Sequence, residues 1–160
     1  MLSELEKQAI QTELNRYPQA LAAVPDALRI VQASRGWVSD EGLEDIAGLL
    51  GLSADEIEAV ATFSNLIFRR PVGRHVILLC DSISCWIMGS TTLLEHLQNR
   101  LGIGLGETTA DGRFTLLPAN CLGACDLAPV MMIDNEVYGR LNPQKSIQVI
   151  QELRRTVAQA

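Results

Sequence analysis

The segment His75-Val-Ile-Leu-Leu-Cys80-Asp-Ser-Ile-Ser-Cys85 decides how this chain is read. A short apolar run with the look of a buried strand ends on a cysteine, and a second cysteine follows across a four-residue gap. The plan recurs downstream. Asp111-Gly112 turns into a strand over 113–117, and Cys121-Leu-Gly-Ala-Cys125 comes shortly after it. These two hooks hold the chain's only cysteines.

Four thiols admit disulfides, structural zinc, an iron-sulfur cluster, or buried side chains without chemistry. Tetrahedral zinc prefers tighter hooks, often with histidine, which makes it the second reading. Two remote pairs suit a 2Fe-2S cluster better: each pair takes one iron, and the rhomb bridges two loops lying side by side. A Rieske centre needs two histidine ligands, and neither His75 nor His96 lies in a hook. Leu79, Ile83, Trp86, Ile87, Leu122 and Leu127 are expected to form an apolar collar that limits water. Gly123 lets the second hook curl and aim amide hydrogens at sulfur. No lysine or arginine lies between Asp81 and Arg100, so little cationic charge would favour adding an electron to an already anionic centre. A low potential is expected.

The 160 residues suffice for one full domain or two small lobes. No apolar run reaches membrane-span length, so the chain reads as soluble, without direct membrane insertion. Its start, Met-Leu-Ser-Glu-Leu-Glu-Lys, is acidic rather than signal-like, which places it in a reducing compartment and argues against disulfides. A net charge of −6, with neither basic stripe nor aromatic-basic interleaving, disfavours nucleic acid as a partner.

Working back toward the amino terminus, residues 1–63 read as four short helices. Ser3 and Glu6 form a capping box ahead of a stripe of Leu2, Leu5, Ile10 and Leu14. Pro25 is placed at a first helical position, with Gly36 as terminator. Ser39 caps a third helix ending at Gly51, and Ser53 with Glu56 caps a fourth. Such punctuation predicts a small bundle. The period breaks over 63–73, where Arg69-Arg70-Pro71-Val72-Gly73 has the composition of a connector and its arginines read as a solvated hinge. The predicted domains are 1–70 and 71–160.

From His75 the expected order is β-α-β-β-β-α, with a helix over 91–101, a hairpin around Asp134-Asn135-Glu136, and a last helix from Asn142-Pro143 through Ile147, Ile150, Leu153 and Val157. If the first two strands are parallel, both hooks emerge at their carboxyl ends, where open α/β sheets place their sites. The fold class is thus α/β (α+β). Gly102-Ile-Gly104-Leu-Gly106 follows a helix and opens none, so it is a loop rather than a nucleotide site. No nucleophile and base can be nominated. His75 and His96 read as a strand-edge and a helix-surface residue.

The hooks, extended to Asp126-Leu-Ala-Pro129, together with Val60-Ala-Thr-Phe63, Arg70-Pro-Val-Gly-Arg74 and Asp111-Gly-Arg-Phe-Thr-Leu116, resemble the thioredoxin-like 2Fe-2S ferredoxin family. Within it they are most similar to the E subunits of bacterial NADH:quinone oxidoreductase, respiratory complex I. The resemblance runs from about Asp26 to the final helix and includes the helical lobe. It implies that Cys80, Cys85, Cys121 and Cys125 ligate one 2Fe-2S cluster, of the type called N1a in the family. It implies an electron-transfer subunit rather than an enzyme alone, located in the cytoplasmic peripheral arm at the inner membrane. Its implied partners are the NADH-binding flavoprotein of that arm, which holds FMN and the NADH site, and the arm's large iron-sulfur protein. Related subunits serve NAD-linked hydrogenases and formate dehydrogenases. A zinc-stapled interaction module remains the competing class.

Overall fold

A computed structural model describes residues 1–156; the expected place of Val157 on the last helix lies outside them. The chain divides into two compact units, Met1–Val72 and Gly73–Ala160.

The first unit holds α1 (Glu4–Leu14), α2 (Ala20–Arg35), α3 (Asp40–Leu50) and α4 (Ala54–Phe63). Both capping boxes form, Ser3 with Glu6 and Ser53 with Glu56, and Ser39 accepts from the Gly42 amide. Gly36 and Gly51 end α2 and α3. Ile10, Val24, Leu28, Val31, Val38, Ile46 and Ile57 are fully buried in one core.

Two expectations for these helices change. Leu5 is exposed, so α1 buries Glu6 and Ile10, which continue the spacing of buried Leu2 ahead of the helix and put a carboxylate in the middle of the stripe. That carboxylate is satisfied: Arg35 of α2 donates from Nε to Oε1 at 2.9 Å and from Nη2 to Oε2 at 2.8 Å. Pro25 lies inside α2 rather than at its start. The helix begins at Ala20, and a proline this early forfeits only one backbone bond.

The connector is also more firmly held than its composition indicated. Arg69 donates to Glu58 Oε2 at 2.7 Å, to Asp40 Oδ1 at 2.6 Å and to the Val38 carbonyl, so it ties α3 to α4 instead of hanging in solvent. Gln32 brackets the same stretch, donating to the Leu66 carbonyl and accepting from the Phe68 amide.

The second unit is a four-stranded sheet with order β2-β1-β3-β4. Its strands are β1 (His75–Cys80), β2 (Phe114–Ala119), β3 (Met131–Ile133) and β4 (Glu136–Tyr138). β1 pairs parallel with β2, Cys80 opposite Ala119, and antiparallel with β3. Ile77 and Leu79 of β1 pack with Phe114, Leu116, Met131 and Ile133 of its neighbours, and against Leu93 and Leu97 of α6 (Ser90–Leu101) and Val149 and Ile150 of α7 (Pro143–Thr156). Side chains alternate along a strand, so Cys80 points to the face opposite Leu79. The hairpin turns at Asp134 and Asn135, both at positive φ, and β4 stops at Tyr138. His75 stands at the first position of β1 and is buried there, bonded to Asp134 and stacked on Phe114 at 5.4 Å.

Candidate metal centre

Each hook grows from the carboxyl end of a strand. β1 is pinned there by Cys80 N–H donating to the Val130 carbonyl at 3.2 Å, and by Asp81 N–H donating to the Ala119 carbonyl at 3.0 Å. The chain then enters α5 (Ile83–Ile87), a short helix inside and just past the first hook. The sequence pattern predicts no helix here, because five residues are too few for a period to show. On α5, Cys85 turns inward and is as buried as Cys80, each 1% exposed. With Val130 they form a small apolar cluster packed by Leu122, Ala124, Leu127 and Ala128.

The second hook leaves β2 after Ala119 and bends at Gly123, whose φ of +77° suits a residue without a side chain. Its amide points at Cys121 Sγ, 3.4 Å away, and Cys121 Sγ lies 3.4 Å from Cys125 Sγ. Cys125 opens a 3-10 turn, Cys125–Leu127. Gly139 backs that turn so closely that a Cβ there would sit 2.5 Å from the Leu127 Cβ. Ser84 of the first hook lies near enough to Cys125 of the second to favour its anion, and Cys80 near enough to disfavour it. The two hooks therefore lie side by side, Leu122 and Ala124 of the second packed on the buried cysteines of the first, and none of the four predicted thiols is in a disulfide.

The acidities follow from these surroundings. Burial pushes the Cys85 thiol up to about 11, against the Val130 amide that favours its anion. The Gly123 amide draws Cys121 below the usual thiol range, with the neighbouring Cys125 adding to it. Cys125 is raised, chiefly by sharing a hydrogen with Cys121. A buried thiol with a raised pKa gains most from a cation that takes the place of its proton.

Among the described residues, no three His, Cys, Asp or Glu side chains gather as they would around one metal ion. The thiols come in two pairs instead, Cys80 with Cys85 and Cys121 with Cys125, and a two-iron rhomb takes two thiolates on each iron. Donor set, amide hydrogens and apolar packing all fit that group. The collar differs from expectation. Leu122 and Leu127 pack on the buried pair, but Ile83, Trp86 and Ile87 are 65%, 61% and 69% exposed, because α5 turns only Cys85 inward. The Val130 amide and Ser84 hydroxyl carry no signal in the sequence. Val130 lies remote from either hook along the chain, and a lone serine between cysteines has many ordinary roles.

Comparison with known proteins gives this arrangement its context. The chain is 51% identical over 143 residues to the E subunit of NADH-quinone oxidoreductase from Pseudomonas aeruginosa, covering 89% of this chain and 86% of that one. It is 50% identical, with the same coverage, to the protein of that name in Escherichia coli strain K12. Among solved structures it is similar to NAD+-reducing [NiFe]-hydrogenase in the H2-reduced state, with a TM-score of 0.68 and 26% identity, over 86% of this chain and 22% of that one. The thioredoxin-like [2Fe-2S] ferredoxin profile matches residues 10–154, which includes both hooks and the sheet that carries them. By that match and by its half-identical relatives, the chain belongs to the thioredoxin-like [2Fe-2S] ferredoxin family, alongside the E subunits of NADH-quinone oxidoreductase.

Proposed function

We propose that this chain is an electron-transfer subunit of NADH:quinone oxidoreductase, and that Cys80, Cys85, Cys121 and Cys125 hold one 2Fe-2S cluster of the N1a type. The observation that carries the reading is the meeting of two cysteine hooks at the ends of adjacent parallel strands, with Leu122 and Ala124 of the second packed on Cys80 and Cys85 of the first. When bound, the cluster supplies one-electron chemistry at an anionic centre. The chain's own residues do the rest. Cys80 and Cys85 offer one pair of ligands and Cys121 and Cys125 the other. The Gly123 amide donates to Cys121 sulfur and the Val130 amide lies near Cys85, and both favour the more negative state. Leu122, Leu127 and Val130 keep water from the buried pair. No lysine or arginine occurs in 81–99 or 114–139, which supports a low potential.

The electron's source, on this reading, is FMN on the flavoprotein of the peripheral arm, with NADH bound there and the large iron-sulfur protein as a further neighbour. Supporting it is the exposed apolar face of α5, formed by Ile83, Trp86 and Ile87 and continued by Met88 just past its end, beside Cys85. Contiguous exposed apolar side chains mark protein contacts. Among the described residues no helix is long and apolar enough to cross a membrane, which is consistent with a place in the cytoplasmic peripheral arm at the inner membrane.

The likeness to the hydrogenase favours a second reading, an equivalent component of an NAD-linked hydrogenase, with formate dehydrogenase in the same class. The two-fold higher identity to the quinone oxidoreductase subunits ranks it below the first. Co-purification from the native cell separates them. A flavoprotein recovered with quinone oxidoreductase subunits, and an NADH-elicited EPR signal lost in a Cys125→Ser complex, are the expected outcome. Recovery with hydrogenase or formate dehydrogenase subunits would replace the first reading with the second.

A further inference from the structure

The two cysteine pairs differ sharply in access. Cys80 and Cys85 are each 1% exposed, whereas Cys121 and Cys125 are open to solvent. The exposed sulfurs stand 3.4 Å apart, and a sulfur-sulfur bond needs about 2.05 Å, so closure asks for a small shift of a five-residue loop. That loop turns on Gly123, around which a Cβ would meet nothing within 4 Å, so it has room to move.

We propose that in chains not yet carrying their cluster, Cys121 and Cys125 are a redox modification site, closing to an intramolecular disulfide when hydrogen peroxide is the oxidant. The inference rests on the ligand assignment above, since oxidation and cluster insertion then compete for the same two thiols. Cys121 is the attacking sulfur, because the Gly123 amide is aimed at it. It attacks one peroxide oxygen, the O–O bond breaks, and a sulfenic acid and one water result. Cys125 sulfur then attacks Cys121 sulfur, the S–O bond breaks, the S–S bond forms, and a second water leaves. Two electrons pass from the two thiols to one peroxide, and both thiol hydrogens end in water. The disulfide stops Cys121 short of the irreversible sulfinic acid and keeps the hook recoverable by a thiol reductant. It also withholds two of the four ligands until that reductant acts.

The test uses the full chain, free of iron and fully reduced, treated with one equivalent of hydrogen peroxide. It is then alkylated under denaturing conditions and mapped by mass spectrometry. The expected product has lost two hydrogens, with Cys121 and Cys125 bridged in one peptide and Cys80 and Cys85 alkylated. A principal bridge that includes Cys80 or Cys85, or sulfinic acid on Cys121 as the main product, overturns the proposal. In a second arm, ferric iron and two equivalents of sulfide per chain are added without any thiol reductant. The oxidised chain is expected to take up at least tenfold less cluster than the reduced chain, and dithiothreitol to restore uptake. Equal uptake overturns the switch. A reduced chain that takes up no cluster sinks the ligand assignment instead, while the bridge is still judged by mass alone.

Discussion

Cys125 is the residue on which the two hooks meet, since its sulfur lies 3.4 Å from that of Cys121 in its own hook and close to Ser84 of the other. Replacing its sulfur with a harder, less readily ionised oxygen removes a soft ligand while changing little volume. Cys125→Ser is expected to lose most of its iron while the helical unit, with its own caps and core, keeps its far-UV circular dichroism. Iron and dichroism on one sample check both halves, and full iron occupancy would refute the ligand assignment. Glu6 gives a second prediction at this scale. Its pairing with Arg35 holds its carboxyl down at about 2, from an ordinary 4.5. A depressed carboxylate contributes stability that is present above its unfolded value and is lost as pH falls from about 4.5 toward 2. After allowance for the partly exposed Arg35, the pair contributes roughly 2 kcal/mol at neutral pH. Urea unfolding of Glu6→Gln against the parent should show that gap at pH 7 and a much smaller one at pH 3. An unchanged gap would show that Glu6 acts through packing rather than charge.

At the scale of the elements, the second hook depends on what stands behind it. A Gly139→Ala methyl would lie 2.5 Å from the Leu127 Cβ and 3.0 Å from the Leu127 carbonyl oxygen, so the Cys125–Leu127 turn must shift. Overpacking of this kind costs about 1–3 kcal/mol, and here the strain falls on a ligand loop. Gly139→Ala should lower the unfolding midpoint and release iron faster to a chelator, and wild-type release would show the turn to be uncoupled from the hook. These elements also show what the sequence made legible. Serine followed three residues on by glutamate announced α1 and α4, and each apolar run ending near a cysteine announced β1, β2 and the site at their ends. α5 was not legible, because five residues cannot display a helical period. The start of α2 was misplaced because Pro25 imitates a first-turn signal, though the helix had already begun. Leu5, Arg69 and the outward collar residues were misjudged for one reason. Local pattern gives a residue's type and spacing, but the partner that buries or ties it comes from a distant segment, as Asp40 and Glu58 do for Arg69.

For the molecule as a whole, a net charge of −6 and an apolar helix beside the cysteines point to a protein partner rather than a polyanion. Trp86 is 61% exposed on that helix, while Cys85, one residue earlier, is buried. Trp86→Asp is therefore expected to weaken association with the flavoprotein at least tenfold while leaving iron per chain unchanged. Binding measured alongside metal analysis checks this, and wild-type affinity would move the docking face elsewhere. The central claim is that the four thiols hold a two-iron redox centre. Its most direct test is iron, acid-labile sulfide and zinc per chain on protein purified without oxygen from its native cell, with EPR before and after dithionite. The account predicts two irons and two sulfides per chain, with a spin-half signal that appears only on reduction. Stoichiometric zinc with no EPR signal in either state would contradict it and leave a structural module in its place.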